Sequence, residues 1–201
     1  EMKRDYIKAA VLSVTLLGLV LPAVAEKEKR ASNAPGAALE NKLIDVRKFR
    51  GSAEIALMNR ARKRITESQF IEMSKEEDTI ILDTRSAASF ALLHVRGAVH
   101  LNFSEITAGS LTAKIPSKKT RILIYCNNNF QNEPREGRPA FAAKSAGMAL
   151  NIPTYITLHA YGYENVHELG PLLDVRNTRI PLAGDKISPI PVPGPAATAK
   201  L

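Results

Sequence analysis

The chain has 201 residues and a formal net charge of +8, from 28 Lys and Arg against 20 Asp and Glu. That length fits one domain with terminal segments, and a single cysteine excludes a fold held by internal disulfides. The positive balance favours anionic partners only weakly, and the absence of tryptophan argues against a nucleic-acid surface that stacks bases.

Residues 1–25 read as a signal peptide. Lys3, Arg4 and Lys8 make a positive start, and the apolar run from Ala9 to Val24 ends in the small-x-small pattern Ala23-Val24-Ala25. The run is shorter than the ~20 residues of a comfortable bilayer span. The expectation is therefore a cleaved leader, a periplasmic or secreted product and no stable membrane span after cleavage; a retained N-terminal anchor is the alternative. Residues 26–64 are expected to form a linker and an N-terminal helical extension. Glu26-Lys27-Glu28-Lys29-Arg30 and Ala31-Ser32-Asn33-Ala34-Pro35-Gly36 have linker composition, and a helix is expected from about Ser52 to Arg64. The basic run Arg60-Ala61-Arg62-Lys63-Arg64 fits an anionic patch or a solvated helix face. With no aromatic side chain beside it, the solvated face is the reading adopted, and no nucleic-acid partner is expected.

Residues 65–176 carry the folded domain. Thr66 and Gln69 have the spacing of a capping box before a short helix. Thr79-Ile80-Ile81-Leu82 is a continuous apolar run, as in a buried parallel strand. Ser86 caps a helix reaching Leu92. A strand over Ala98–Leu101 and a helical turn from Ser104 to Thr107 follow. Arg121-Ile122-Leu123-Ile124-Tyr125 is the next strand. The reading then places a helix over Arg138–Leu150 with Pro139 in its first turn, a fourth strand over Thr154–Leu158 and a last helical turn over Asn165–Leu169. Residues 177–201, with Pro181, Pro189, Pro191, Pro193 and Pro195, read as a Pro-rich tail. Strands alternating with helices imply an α/β fold with a central parallel sheet and helices on both faces. Ligands of such sheets bind beyond the carboxyl ends of the strands.

Two features fall at strand ends: Asp83-Thr84-Arg85 and Cys126. The cysteine opens a polar loop, Asn127-Asn128-Asn129-Phe130-Gln131-Asn132. A thiol at the mouth of such a loop can meet several backbone N–H groups, which stabilise the nucleophilic thiolate. The competing reading is a small buried apolar residue. Four histidines lack the spacing of a metal site, and no Walker-type phosphate loop is present; no cofactor or metal is expected.

Three segments together resemble the rhodanese superfamily, specifically its exported single-domain members: Ile81-Leu82-Asp83-Thr84-Arg85-Ser86, His94-Val95-Arg96-Gly97-Ala98, and Ile122-Leu123-Ile124-Tyr125-Cys126. The resemblance covers about residues 66–175. It implies a rhodanese-like fold and a sulfurtransferase that carries sulfur as a persulfide on Cys126. The donor would be a small sulfur-bearing anion such as thiosulfate, and the acceptor a thiol or cyanide. Asn127, Asn128, Asn129, Phe130 and Gln131 would supply the amide cradle. Arg85 would steer the anion or pair with a carboxylate, and His94 would be a structural hydrogen-bonding residue.

The chain also departs from the pattern. Asn127 to Gly137 is a longer loop than the family's, its first six residues lack glycine and arginine, and Ala160-Tyr161-Gly162 stands where a Gly-Gly pair is usual. Arg135 and Arg138 would reach the anion or face solvent. Asn132 occupies the position at which related phosphatases carry arginine, whose planar fork is hard to replace, so phosphatase activity is not expected. The lengthened loop motivates the rival reading, a non-catalytic binding or sensor module.

Overall fold

Three short strands with alternating side chains build two cores, one on each face of a parallel sheet. The computed structural model describes residues 41–133 and 137–186. The expected leader (1–25), the linker up to residue 40, Arg135 and the tail beyond residue 186 lie outside the described residues. The central strands are β2 (Thr79–Asp83), β5 (Arg121–Tyr125) and β7 (Val166–Leu169), flanked by β1 (Arg64–Ile65) and β4 (Val99–His100). The order is β1-β7-β5-β2-β4 and every pairing is parallel, with Ile81 opposite Leu123 and Leu82 opposite Ile124. Among the described residues no helix is long and apolar enough to cross a membrane.

Successive residues of a strand point to opposite faces, and the burial follows that rule. Ile81, Leu123, Tyr125 and Leu169 face one core with Phe70, Leu93 and Val95. Phe70 comes from helix α2 (Glu67–Met73), and Val95 from the small strand β3 (His94–Val95). Leu82, Ile122, Ile124 and Val166 face the other core. That core is closed by Ala56 of α1 (Val46–Lys63), Leu111 of α4 (Ala108–Lys114), and Tyr155, Ile156 and Leu158 of α5 (Asn151–Ala160). Each fully buried Leu or Ile of these strands contributes about 1.5–3 kcal/mol.

Local capping agrees with the sequence at two helices, and a third cap, Thr107, was not foreseen. Thr66 and Gln69 form the reciprocal capping box of α2. Ser86 accepts from the Ser89 N–H at the start of α3 (Ala87–Leu92), and Thr107 with Ser110 caps α4. Helix α1 begins at Val46, earlier than the expected Ser52, and its last turn holds Arg60, Arg62 and Lys63.

Three expectations between residues 138 and 169 are overturned. Residues 138–150 form a loop with one 3-10 turn at Ala146–Met148. Their Ala-rich composition favours a helix, but tertiary contacts override propensity here. Ala140 and Phe141 are buried in the core, and the Asn128 side chain captures both the carbonyl (2.7 Å) and the amide (3.1 Å) of Lys144. The expected strand over Thr154–Leu158 is instead the body of α5. Its β-branched residues suggested a strand, yet the buried set Asn151, Thr154, Tyr155 and Leu158 follows the i, i+3, i+4, i+7 spacing of a helix face. Pro153 sits in the first turn, where its missing N–H costs little. The expected helical turn at 165–169 is strand β7, hydrogen-bonded to both β5 and β1.

Part of the expected tail belongs to the domain. Strand β9 (Leu182–Ala183) pairs antiparallel with β3. Thr178 Oγ1 and Arg179 N both donate to Glu67 Oε1 at 2.7 Å, and Ile180 is buried in the first core. Gly184 adopts φ +128, and a Cβ there would lie 2.6 Å from the Leu92 carbonyl oxygen, so only glycine fits this close approach.

His167 on β7 makes stability depend on pH. Burial, then the positive charges of Lys63 and Arg121, push its imidazole down to about 4. In the unfolded chain it titrates near the ordinary ~6.5. Between those values the unfolded chain binds a proton that the folded chain refuses, so this contribution is complete above pH ~6.5 and is lost as pH falls toward 4. Urea midpoints measured from about pH 7 to about pH 5 should fall in the native protein and fall less in His167→Gln.

Candidate functional site

The carboxyl ends of β2 and β5 are joined by a buried polar network. Asp83 and Arg85 are buried, and Asp83 accepts from the Arg85 backbone N–H (2.9 Å), from Nε (3.0 Å to each oxygen) and from Nη2 (2.6 Å). The Tyr125 hydroxyl donates to Asp83 and accepts from the Val95 N–H. Arg85 donates its remaining bonds to Ala140 O at 3.0 Å and Leu93 O at 2.7 Å, and its guanidinium lies 4.4 Å from the centre of the Phe141 ring. Burial opposes the Arg85 charge, but Asp83 outweighs it and raises the arginine pKa. Burial, then Asp83, also holds the Tyr125 phenol well above its ordinary value, so it remains a donor.

Cys126 follows β5 in extended conformation, and Asn127–Asn129 form a 3-10 turn after it. The cysteine is 1% exposed. Burial pushes its thiol up, and the Glu168 carboxylate adds to that effect. Three backbone N–H groups, those of Asn128, Asn151 and Leu150, work in the opposite direction. Two of the three stand at the N-terminus of α5, where N–H groups have no partner within the helix.

The asparagines hold this arrangement together. Asn129 Oδ1 accepts from the Cys126 N–H and from Asn151 Nδ2, both at 2.9 Å. Its Nδ2 donates to Leu169 O (2.7 Å) and Pro171 O (3.2 Å). One buried side chain thus ties the end of β5, the end of β7 and the start of α5. Asn127 Oδ1 and Asn151 Oδ1 are buried acceptors with no hydrogen-bond partner among the described residues.

The structure sorts the expected site residues. Cys126, Asn128 and Asn129 are brought together, and Asn127 adjoins them. Phe130 does not bind an anion through its side chain: it is buried, 4.4 Å from Phe141 and 6.0 Å from Tyr125 between ring centres. Its N–H bonds to Asn127 O. Gln131 is exposed, in strand β6 (Phe130–Gln131) paired with β8 (Leu173–Asp174). Arg85 is a correction: its donors are engaged inside the domain, so of the two roles expected for it the carboxylate pair is the one observed. Arg138 is exposed. His94 bonds Phe90 O at 2.7 Å and stacks on the Phe90 ring, a structural use. Among the described residues no group of three His, Cys, Asp or Glu side chains could hold a metal ion.

A family model for the rhodanese-like domain matches residues 66–170. The chain belongs to the rhodanese-like family. It is also similar to tRNA uridine(34) hydroxylases of Streptococcus pyogenes serotype M6 (32% identical over 78 residues, 37% of this chain and 24% of the relative) and Streptococcus agalactiae serotype III (33% over 72 residues, 34% and 22%). The chain therefore spans about a quarter of the length of these curated relatives. The crystal structure of a Bacillus halodurans protein matches with a TM-score of 0.39 and 17% identity, over 60% of this chain and 75% of that one.

Sequence reasoning missed Leu150, Asn151 and Glu168 as neighbours of the rhodanese-like cysteine. One signal was present: Asn151 stands two residues before Pro153, a helix-start pattern. A second was Glu168 within Val166-His167-Glu168-Leu169, an ionisable residue inside an otherwise strand-like run.

Two outcomes follow. Asp83→Ala should lower unfolding free energy by about 3–5 kcal/mol, because it strands a buried guanidinium; urea denaturation at neutral pH measures it. For Cys126, the rate of iodoacetamide alkylation against pH should have its midpoint above the ~8.5 of an ordinary thiol in the folded protein and near that value in the urea-unfolded chain.

Proposed function

We propose that this rhodanese-like domain carries sulfur as a persulfide on Cys126. The reading rests on the placement of Cys126 between the end of β5 and the start of α5, where the backbone N–H groups of Asn128, Leu150 and Asn151 favour an ionised sulfur. Such an array stabilises an anion without a counter-ion, and two of the three belong to a helix N-terminus, which attracts negative charge. The cradle differs from the expected one. The loop amides 127–131 were to supply it, but the turn uses the N–H groups of Asn129 and Phe130 internally. The start of α5 takes their place.

The chemistry needs no cofactor. The Cys126 thiol loses its proton to solvent, and the thiolate attacks the outer sulfur of a donor such as thiosulfate. The donor's S–S bond breaks and sulfite leaves with the electron pair. A thiol or cyanide acceptor then takes the outer sulfur, and the Cys126 thiolate is restored. Hydrogen bonds to an ionised acceptor contribute about 1.5–3 kcal/mol each, so three donors offset much of the cost of a buried anion. The reading includes export through the leader expected at residues 1–25. The name of the streptococcal relatives supplies no substrate here, since the shared part is about a quarter of their length.

A second reading, a non-catalytic binding or sensor module, is favoured by a different observation: the sulfur is buried and its thiol is held up by burial and by Glu168.

Intact-mass spectrometry after thiosulfate treatment separates the two. The persulfide reading expects a gain of one sulfur that cyanide removes, and no gain in Cys126→Ser with its fold retained. A native protein that gains no sulfur from thiosulfate or from other sulfur donors, while remaining folded, is the result expected of the binding module.

A further inference from the structure

A continuous run of hydrogen bonds joins the N-terminal helix to the cysteine. Arg60, in the last turn of α1, donates to both oxygens of Glu168, through Nε to Oε2 and through Nη2 to Oε1 at 2.6 Å. Glu168 is 3% exposed, and its Oε1 also accepts from Asn151 Nδ2 at 3.3 Å. That same nitrogen donates to Asn129 Oδ1, the oxygen that receives the Cys126 N–H. The backbone N–H of Asn151 also favours the ionised form of the cysteine sulfur. One carboxylate therefore orients the residue that supports Cys126 from both its backbone and its sulfur side.

The placement has an electrostatic consequence. A nearby negative charge opposes formation of a thiolate, and a cation on that charge relieves the opposition. Three other groups face Glu168. Arg64 lies 3.9 Å from Oε1. Tyr155 of α5 is a buried phenol whose ionisation is opposed by burial and then by Glu168. The third is Cys126 itself. The main cation, Arg60, belongs to a helix outside the segment 66–170 matched by the family model.

We propose that Glu168 is a positioning residue for Cys126 and that helix α1, through Arg60, controls it: the firmness of the Arg60–Glu168 pair sets how readily Cys126 becomes a nucleophile. This deepens the persulfide reading by adding regulation to the same site. Any binding event or modification that draws α1 away would leave the carboxylate unneutralised and quieten the thiol.

The test is the pH profile of Cys126 alkylation by iodoacetamide in the native protein, in Glu168→Gln and in Arg60→Gln. Glu168→Gln keeps the shape of the side chain and removes its charge, so the midpoint should move down. Arg60→Gln leaves the carboxylate with the more distant Arg64, so the midpoint should move up. Each unit of movement changes the thiolate fraction below the midpoint about tenfold. Opposite signs distinguish positioning from loosening, because a loosened loop admits water and brings both variants down toward the ordinary thiol value. Shifts of the same sign, or no shift, overturn the proposal. If Glu168→Gln fails to fold, Arg60→Gln decides alone: a midpoint that stays or falls is fatal. Alkylation reads the thiol and not sulfur transfer, so a protein that forms no persulfide in the mass measurement still gives a decisive answer here, and a failure here leaves the persulfide result standing.

Discussion

The buried Asp83–Arg85 pair is the interaction on which the site depends. Two charges taken out of water cost several kcal/mol each unless their remaining hydrogen-bonding capacity is met. Here it is met by groups from five places: the Arg85 backbone, the Tyr125 hydroxyl at the end of β5, the Leu93 carbonyl after α3, the Ala140 carbonyl in the long loop and, through Tyr125, the Val95 amide. Satisfying the pair thus requires the ends of β2 and β5 and the loop near residue 140 to meet. Phe141, packed over the guanidinium and stacked on Phe130, follows from that meeting. The same constraint turns the chain back from Ala140 to Lys144, where Asn128 receives it, and from there to the start of α5 beside Cys126.

At Cys126 two effects oppose each other. Burial can raise the pKa of an ionisable group by up to about 3–5 units, and Glu168 acts in the same direction. Three N–H donors act against both, and the net result is an upward shift. The two effects differ in how they respond to solvent. Water admitted to the sulfur removes the effect of burial, while amides fixed by secondary structure remain where they are. In the proposed persulfide reading, access for a donor and activation of the thiol are therefore coupled: exposing the sulfur is what lets the amides dominate.

Much of this architecture was legible in the sequence, and the losses have specific causes. The apolar runs at 79–82 and 121–125 have the pattern of buried parallel strands, and Thr66, Ser86 and Cys126 are placed by cap and strand-end patterns that involve neighbours in sequence. The misreading of 138–169 came from composition. The alanines of 138–150 favour a helix and the β-branched residues of 154–158 favour a strand, but contacts to Asn128, Arg85 and the core reverse both. Once that stretch was shifted, β7 was lost, and with it Glu168. Arg85 admits two roles in the sequence, because nothing local shows whether an arginine after a strand turns inward. The pairing of Arg60 with Glu168 spans 108 positions and leaves no trace in either neighbourhood, so the basic run of α1 read as a solvated face.

The departures from the family pattern belong together physically. A short glycine-containing loop can curl its own amides around a sulfur. A loop that begins Asn-Asn-Asn spends its Asn129 and Phe130 amides on its own 3-10 turn. The missing donors must come from elsewhere, and the nearest unpaired ones are at the start of α5. That solution has a cost: the helix start must be held to the strand end by side chains, and Asn129 and Asn151 do this only if Asn151 is itself anchored. A carboxylate is a strong acceptor for that purpose, but it brings a negative charge to the site of a thiolate. The cation that offsets it comes from α1, beyond the edge of the family domain. The N-terminal helix thus supplies the counter-charge, and the basic run that looked like solvated surface is divided between that task and solvent.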